Sequence, residues 1–540
     1  MNSNALMEVF GHIVVSFTRG VTEHINPEDP ENTALFGYDP FESTGLEWYH
    51  RPVDELIYQE YSEREATLVN YIGIRSHNER VIDACSTEEN EEIPGHQSDE
   101  DGRMAWKRLR PSALCTARKS MYIGVLISVV TASIVGSLYM LISYLCFTFI
   151  NNCEFYPKDS IPENVQWIRS ISDVISCLFL YTWFFACMLF LFRPYQLHGA
   201  KGKLILVICL CYLLDTSYRL ALQALGISRS KLSTLQKIPL NLIFFLSTCC
   251  QAYLVTNHLR MRRTRKQLVA LFLKMTVPLF SIIILAIVVA SIIYPLYNKQ
   301  KEEGKLRLII AIFAPVIGVV LKVISRICVQ RLWNITHPGY SYVLLAPLYC
   351  ATAVMFRILQ ADLDSLKSIA ILGIVHGAAE VLERSTMVVI DHVLHVIWKR
   401  QSAPWGSFRT PRRERLMADI AIMSMLFESV AIVSVNGILY MYQFIYVRNH
   451  PLLELLQSFA KSTSVSLVIE WFFTSLSLTI ETRYQNMAVM AVWQRRWKKH
   501  ILVAVVTIVS TAIWTSGNLS VVIYERFQES LQEPCKMPFT

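Results

Sequence analysis

Residues 121–150 form an unbroken run of 30 residues with no Asp, Glu, Lys or Arg. An α-helix of about 20 apolar residues crosses a bilayer. In the hydrocarbon core every backbone N–H and C=O must be satisfied within the protein, which leaves helices and closed barrels as the spanning structures. The run is far too long for a barrel strand, so it predicts a transmembrane helix. Comparable runs recur at 174–192, 204–225, 238–259, 275–297, 308–327, 340–359, 368–397, 420–447, 465–480 and 501–523. The predicted fold is therefore all-α: a polytopic membrane protein of about eleven transmembrane helices, with 10–12 as the range. The stretches at 204–225, 368–397 and 465–480 carry charges and define their spans least sharply. No internal repeat is evident, although eleven spans would accommodate five plus five plus one.

The charge balance divides the chain. Residues 1–102 hold 22 Asp and Glu against 5 Arg and no Lys, a net of 5 − 22 = −17, whereas the remainder holds 46 Lys and Arg against 21 Asp and Glu, a net of +25. This predicts an acidic, partly disordered N-terminal region (1–102), a basic juxtamembrane segment (103–120), a membrane domain (121–523) and a short tail (524–540). The basic residues lie in short loops between apolar runs, not on one soluble face, so nucleic-acid binding is not expected. The start of the chain lacks a basic n-region, and Glu8 interrupts its apolar run, so no secretory signal is expected there.

Loops rich in Lys and Arg stay in the cytoplasm. An eleven-span reading with the N-terminus inside assigns 103–119, 193–203, 260–274, 322–331, 398–415 and 481–500 to the cytoplasm, and these hold 29 Lys and Arg, more than the segments between them. The C-terminus then lies outside. The sequon at Asn518 falls at the outer end of the last span and is a candidate glycosylation site, whereas the sequon at Asn334 lies inside and should stay bare. Cys153 and Cys535 fall on the same outer side and are candidates to pair. The remaining Cys residues have no regular spacing and no CxxC, which gives no support to a disulfide framework or structural zinc site.

Residues 368–400 concentrate ionisable groups in one span: His376, Glu380, Glu383, Arg384, Asp391, His392 and His395. At about 100° per residue, all but His392 fall within roughly one third of the helix circumference. Leu372, Ile374 and Val381 lie outside this arc. Ionisable groups at bilayer depth are expensive and face a protein interior or a water-filled cavity. Gly373, Gly377, Ala378 and Ala379 permit a close helix neighbour. Three readings follow: a polar pathway with His376, Glu380 and Glu383 as ion or proton sites, a structural ion-pair stripe, or a metal site. A di-iron bundle requires Glu-x-x-His on paired helices; here Thr386 stands three after Glu383 and no second such helix exists, so no metal and no cofactor are expected.

Matching groups appear in other spans. Asp215 and Arg219 are spaced i,i+4, Glu428 lies two turns into its span, and Glu470 has no basic residue within a turn and so needs a partner on another helix. Arg357, near the end of its span, is expected to snorkel to the interface. Arg409, Arg412, Arg413 and Arg415 form a basic loop suited to anionic lipid head groups. No phosphate loop, HExxH or GxSxG motif is present. The leading functional expectation is a transporter or channel-like protein for an unidentified small solute or ion, with His376, Glu380, Glu383, Asp215, Arg219, Glu428 and Glu470 along its pathway. The alternative is a non-transporting receptor or scaffold, and a membrane-embedded enzyme comes third. The expected partner is the lipid bilayer, in the plasma membrane or an endomembrane.

Overall fold

The computed structural model describes residues 113–151, 161–192, 197, 199–227, 234–259, 265–299, 304–332, 336, 340–361, 366–399, 411–444, 451–483 and 489–527. Among these residues the chain is helical with no strand. The helices are α1 (Leu114–Asn151), α2 (Glu163–Leu191), α3 (Lys201–Ala224), α4 (Thr234–His258), α5 (Arg265–Val288), α6 (Gly304–Phe313), α7 (Pro315–Gln330), α8 (Ala346–Ala361), α9 (Leu366–Lys399), α10 (Pro411–Tyr442), α11 (Leu452–Arg483) and α12 (Val489–Phe527). Each predicted span coincides with a helix, α6 and α7 together forming the sixth.

Nine helices among the described residues are long and apolar enough to cross a membrane. The apolar stretch of α8 is shorter, Ala346–Leu359. α9 is long enough but is interrupted by Glu380, Glu383 and Arg384. The protein is an all-α, multi-pass membrane protein.

Helix ends differ from the predicted spans. α11 extends from Leu452 to Arg483 where the apolar run predicts 465–480, and α2 begins at Glu163, well before 174. Hydropathy marks where a helix is apolar, whereas helical hydrogen bonding continues into polar sequence. The segment predicted as the loop 481–500 contains the start of α12, which bends at Arg496, a residue with non-helical backbone angles (φ −130°, ψ 17°). α1 is continuous but contains two π-helical stretches, Leu126–Thr131 and Phe147–Asn151.

The centre of the bundle is α10, and the charge-rich α9 lies to one side of it. The membrane window of α10 is wholly buried, and the helix packs against α1, α8, α11 and α12. A Cβ on Gly136 of α1 would come within 2.9 Å of Val433 of α10, so the missing side chain sets how closely these helices approach. α9 pairs chiefly with α11, and Gly377 admits the Phe473 ring where any Cβ would collide with it. Of the apolar residues outside the polar arc, Leu372, which flanks it, is buried against the bundle while Ile374 is exposed together with Ile371 and Leu382. Elsewhere, α3 packs on α2 and α4, and α5 on α7.

The N-terminal region, Cys153, Asn334, Arg409 and Cys535 lie outside the described residues. The side chains of His392, His395, Arg412 and Asn518 do as well, although their backbones are helical.

Candidate functional site: a buried charge cluster between α7 and α11

Gly373 and Gly377 of α9 lie against Ile469 and Phe473 of α11, while side chains of its polar stripe reach α10. His376 Nε2 lies 3.2 Å from Oε2 of Glu428 on α10. Four residues on, Glu380 pairs with Arg384 one turn away, and its Oε1 also accepts a hydrogen bond from Ser424 Oγ of α10 at 3.0 Å. Glu380, Arg384 and Glu428 are all buried.

Glu470 of α11 finds its partner on α8, Arg357 Nη2 at 3.6 Å. Both residues are buried, which corrects the expectation that Arg357 snorkels to the interface. Its helix packs against α10 and α12, so the side chain reaches a carboxylate more easily than it reaches water. Thr474 Oγ1 also donates to Glu470 at 3.5 Å.

Two further groups complete the cluster. Lys322 of α7 is buried, with its ammonium 4.9 Å from the Tyr349 ring centroid, and the carboxylates acting on it are Glu383, Glu428 and Glu380. Glu481 of α11 is buried and accepts a hydrogen bond from Ser477 Oγ at 3.2 Å. Arg384 acts most strongly on Glu380 and then on Glu481 and Glu470. Five helices thus bring together the carboxylates Glu380, Glu383, Glu428, Glu470 and Glu481, the cations Lys322, Arg357 and Arg384, and His376.

The stripe continues to a second group at one end of the bundle. Asp391 lies 3.1 Å from Arg326 Nη2 of α7, pairs with Arg413 of α10 and accepts from Gln330 Nε2 at 3.0 Å. On the same end, Asp419 of α10 accepts from Arg415 Nε at 2.9 Å and from His500 Nε2 of α12 at 2.8 Å. The His500 ring stacks on Tyr342 at 5.3 Å, and its Nδ1 lies 3.0 Å from the carbonyl of Arg496, at the bend in α12. Arg415, Asp419 and His500 are all fully buried. Arg415 is therefore committed to the protein interior and is not presented to lipid, because α10 begins earlier than predicted and carries the residue inward. Arg413 is likewise engaged with Asp391.

Asp215 and Arg219 form the predicted i,i+4 pair at 2.8 Å, and Arg219 also pairs with Asp173 of α2. These partners belong to α2 and α3, so the structure does not join Asp215 to the cluster on α7–α11. Among the described residues no three His, Cys, Asp or Glu side chains are placed to hold a metal ion.

Sequence reasoning missed Lys322, Arg326, Asp419, Glu481 and His500. Each was treated as a loop charge or placed at the edge of an apolar run. Lys322 and Arg326 carried a usable signal: they share one face of α7 with Gly318, Leu321, Ser325 and Val329, all of them buried. Compared with known protein families, curated proteins and solved structures, the chain matches none of them.

Proposed function

We propose that this membrane protein moves a small solute or ion along a polar pathway through the charge cluster of α7–α11. One observation carries the reading: nine ionisable side chains from five helices converge in the apolar part of the bundle. Buried charge pairs are a poor way to stabilise a bundle, since apolar residues of similar volume often serve as well or better. Ionisable groups inside membrane domains instead mark ion and proton routes. His376, Glu380, Glu383, Glu428 and Glu470 contribute the exchangeable positions, while Arg357, Arg384 and Lys322 set the local potential.

A second reading, a receptor or scaffold, is favoured by the pairing of His376 with Glu428, Glu380 with Arg384 and Glu470 with Arg357. In that case the pairs fix helix register and nothing moves through them. The positive-inside pattern supports a cytoplasmic N-terminus and an outside C-terminus. Arg409 and Arg412 remain the candidates for anionic lipid contact.

Flux assays on purified protein in sealed liposomes separate the readings. The liposomes are loaded in turn with protons, alkali cations, chloride and small organic ions. Transport predicts a gradient-driven flux that is lost in Glu380→Gln and Glu470→Gln while both variants remain folded. Flux unchanged in both variants removes these residues from the pathway, and the absence of flux for every solute favours the scaffold reading.

A further inference from the structure

The charges of the cluster can be matched one against another. His376, when protonated, faces Glu428. Arg384 faces Glu380, and Arg357 faces Glu470. Lys322 has Glu383 as the carboxylate acting on it most strongly. This leaves Glu481. Against five carboxylates stand three permanent cations, 3 − 5 = −2, or −1 with His376 protonated.

Glu481 is 2% exposed. Ser477 serves its Oε1, and its Oε2 has no hydrogen-bond partner. The charged groups acting on it are Arg384 and Glu380, both on α9. α1, α10 and α12 also pack on α11 but contribute none to it among the described residues. Arg384 is already paired with Glu380, so an ionised Glu481 would be a surplus buried charge, a state that proteins avoid by neutralising the group.

We propose that Glu481 is a proton-binding site and that the proton is the ion moved through the cluster; the second half rests on the transport reading above. A proton needs no added volume in a packed interior. It reaches Oε2 from a hydronium ion: an O–H bond forms on the carboxylate, one breaks on the hydronium, and water remains. The carboxylate becomes a neutral acid, and with His376 protonated the surplus charge disappears. Release reverses the step and returns the charge to Glu481, beside Arg384. Because Glu380 shares Arg384, ionisation of Glu481 competes with the Glu380 pair, which couples the proton site to the rest of the cluster.

Two measurements on the full-length protein test this. The first is infrared difference spectroscopy of the purified protein near neutral pH, in ordinary and heavy water. A protonated carboxylic acid has a carbonyl band that shifts on deuteration. A component of this band is expected in the wild type and in Glu454→Gln, a control on an exposed part of α11, displaced in Glu481→Asp and lost in Glu481→Gln. Glutamine copies the neutral acid in shape, so that variant should fold. The same band in Glu481→Gln as in the wild type overturns the site. The second is proton flux into liposomes holding a pH-sensitive dye, expected in the wild type and lost in Glu481→Gln. Flux of another solute with no proton flux overturns the ion assignment and leaves the transport reading intact. No flux of any solute overturns the ion assignment and the transport reading together, while the infrared result still decides the site.

Discussion

Replacing Asp419 by Ala should be among the most damaging single changes in the bundle. Its carboxylate is fully buried and accepts from two buried side chains, Arg415 at 2.9 Å and His500 at 2.8 Å. A hydrogen bond to a charged group contributes about 1.5–3 kcal/mol net. Two such bonds give about 3–6 kcal/mol, in line with the roughly 3–5 kcal/mol measured when one partner of a buried ion pair is removed. The loss does not end at the missing oxygens, because Arg415 would remain buried with its charge unopposed by Asp419. The bend of α12 at Arg496 is tied to the same group through the His500 ring, so its local order should fall too. Thermal unfolding of the detergent-purified protein is the assay, with ligand-free samples at one detergent concentration. We expect the midpoint to drop by about 5–10 °C, scaling from about 2–4 °C per kcal/mol in domains of 150–250 residues. Asp419→Asn, which keeps an acceptor oxygen but no charge, should fall between the wild type and Asp419→Ala. A shift for Asp419→Ala within about 0.5 kcal/mol, the range of ordinary surface substitutions, would refute the buried arrangement of Arg415, Asp419 and His500.

Three other outcomes follow from the packing and the pairs. Gly377→Ala should destabilise by about 1–3 kcal/mol through overpacking against Phe473, whereas Gly517→Ala, with nothing within 4 Å of the added carbon, should be neutral or stabilise by up to about 1 kcal/mol through helix propensity; parallel melting curves compare them. Arg357→Met should destabilise strongly by leaving Glu470 without its cation, and adding Glu470→Leu should restore much of the loss, with a coupling of about 0.5–3 kcal/mol in a double-mutant cycle. On the proposed topology, which puts the N-terminus in the cytoplasm, Asn334→Gln should leave electrophoretic mobility unchanged in glycosylating cells, and an N-terminal epitope should become accessible only after the membrane is permeabilised.

The positions of the helices were largely legible in the sequence, because a bilayer admits few structures and each leaves an apolar run near one length. The eleven runs each coincide with a helix, or with the α6–α7 pair. The ends were less legible. Several spans drawn by hydropathy end beside a charge, and in this protein several of those charges face inward. Asp419 and His500 each stood one residue outside a predicted span, and Glu481 stood one residue beyond another, yet all three are buried. Arg357 lies inside its span, near the end, and its expected snorkelling likewise overlooked a partner on another helix. Hydropathy sums over a window and cannot register a charge whose partner sits on a different helix.

The sequence by itself determined that the chain is an all-α, multi-pass membrane protein, and that α9 carries its ionisable groups along one face. Both follow from local chemistry: backbone hydrogen bonding in an apolar solvent and the angular period of a helix. Only the tertiary structure decided which helix is central, since burial of α10 depends on neighbours from distant parts of the chain. Only the tertiary structure joined His376 to Glu428 and Glu470 to Arg357, separated Asp215 into a group with Asp173, and left Glu481 sharing Arg384 with Glu380. An ion pair between helices depends on which residues face each other across a packed interface, and spacing along one helix does not contain that information.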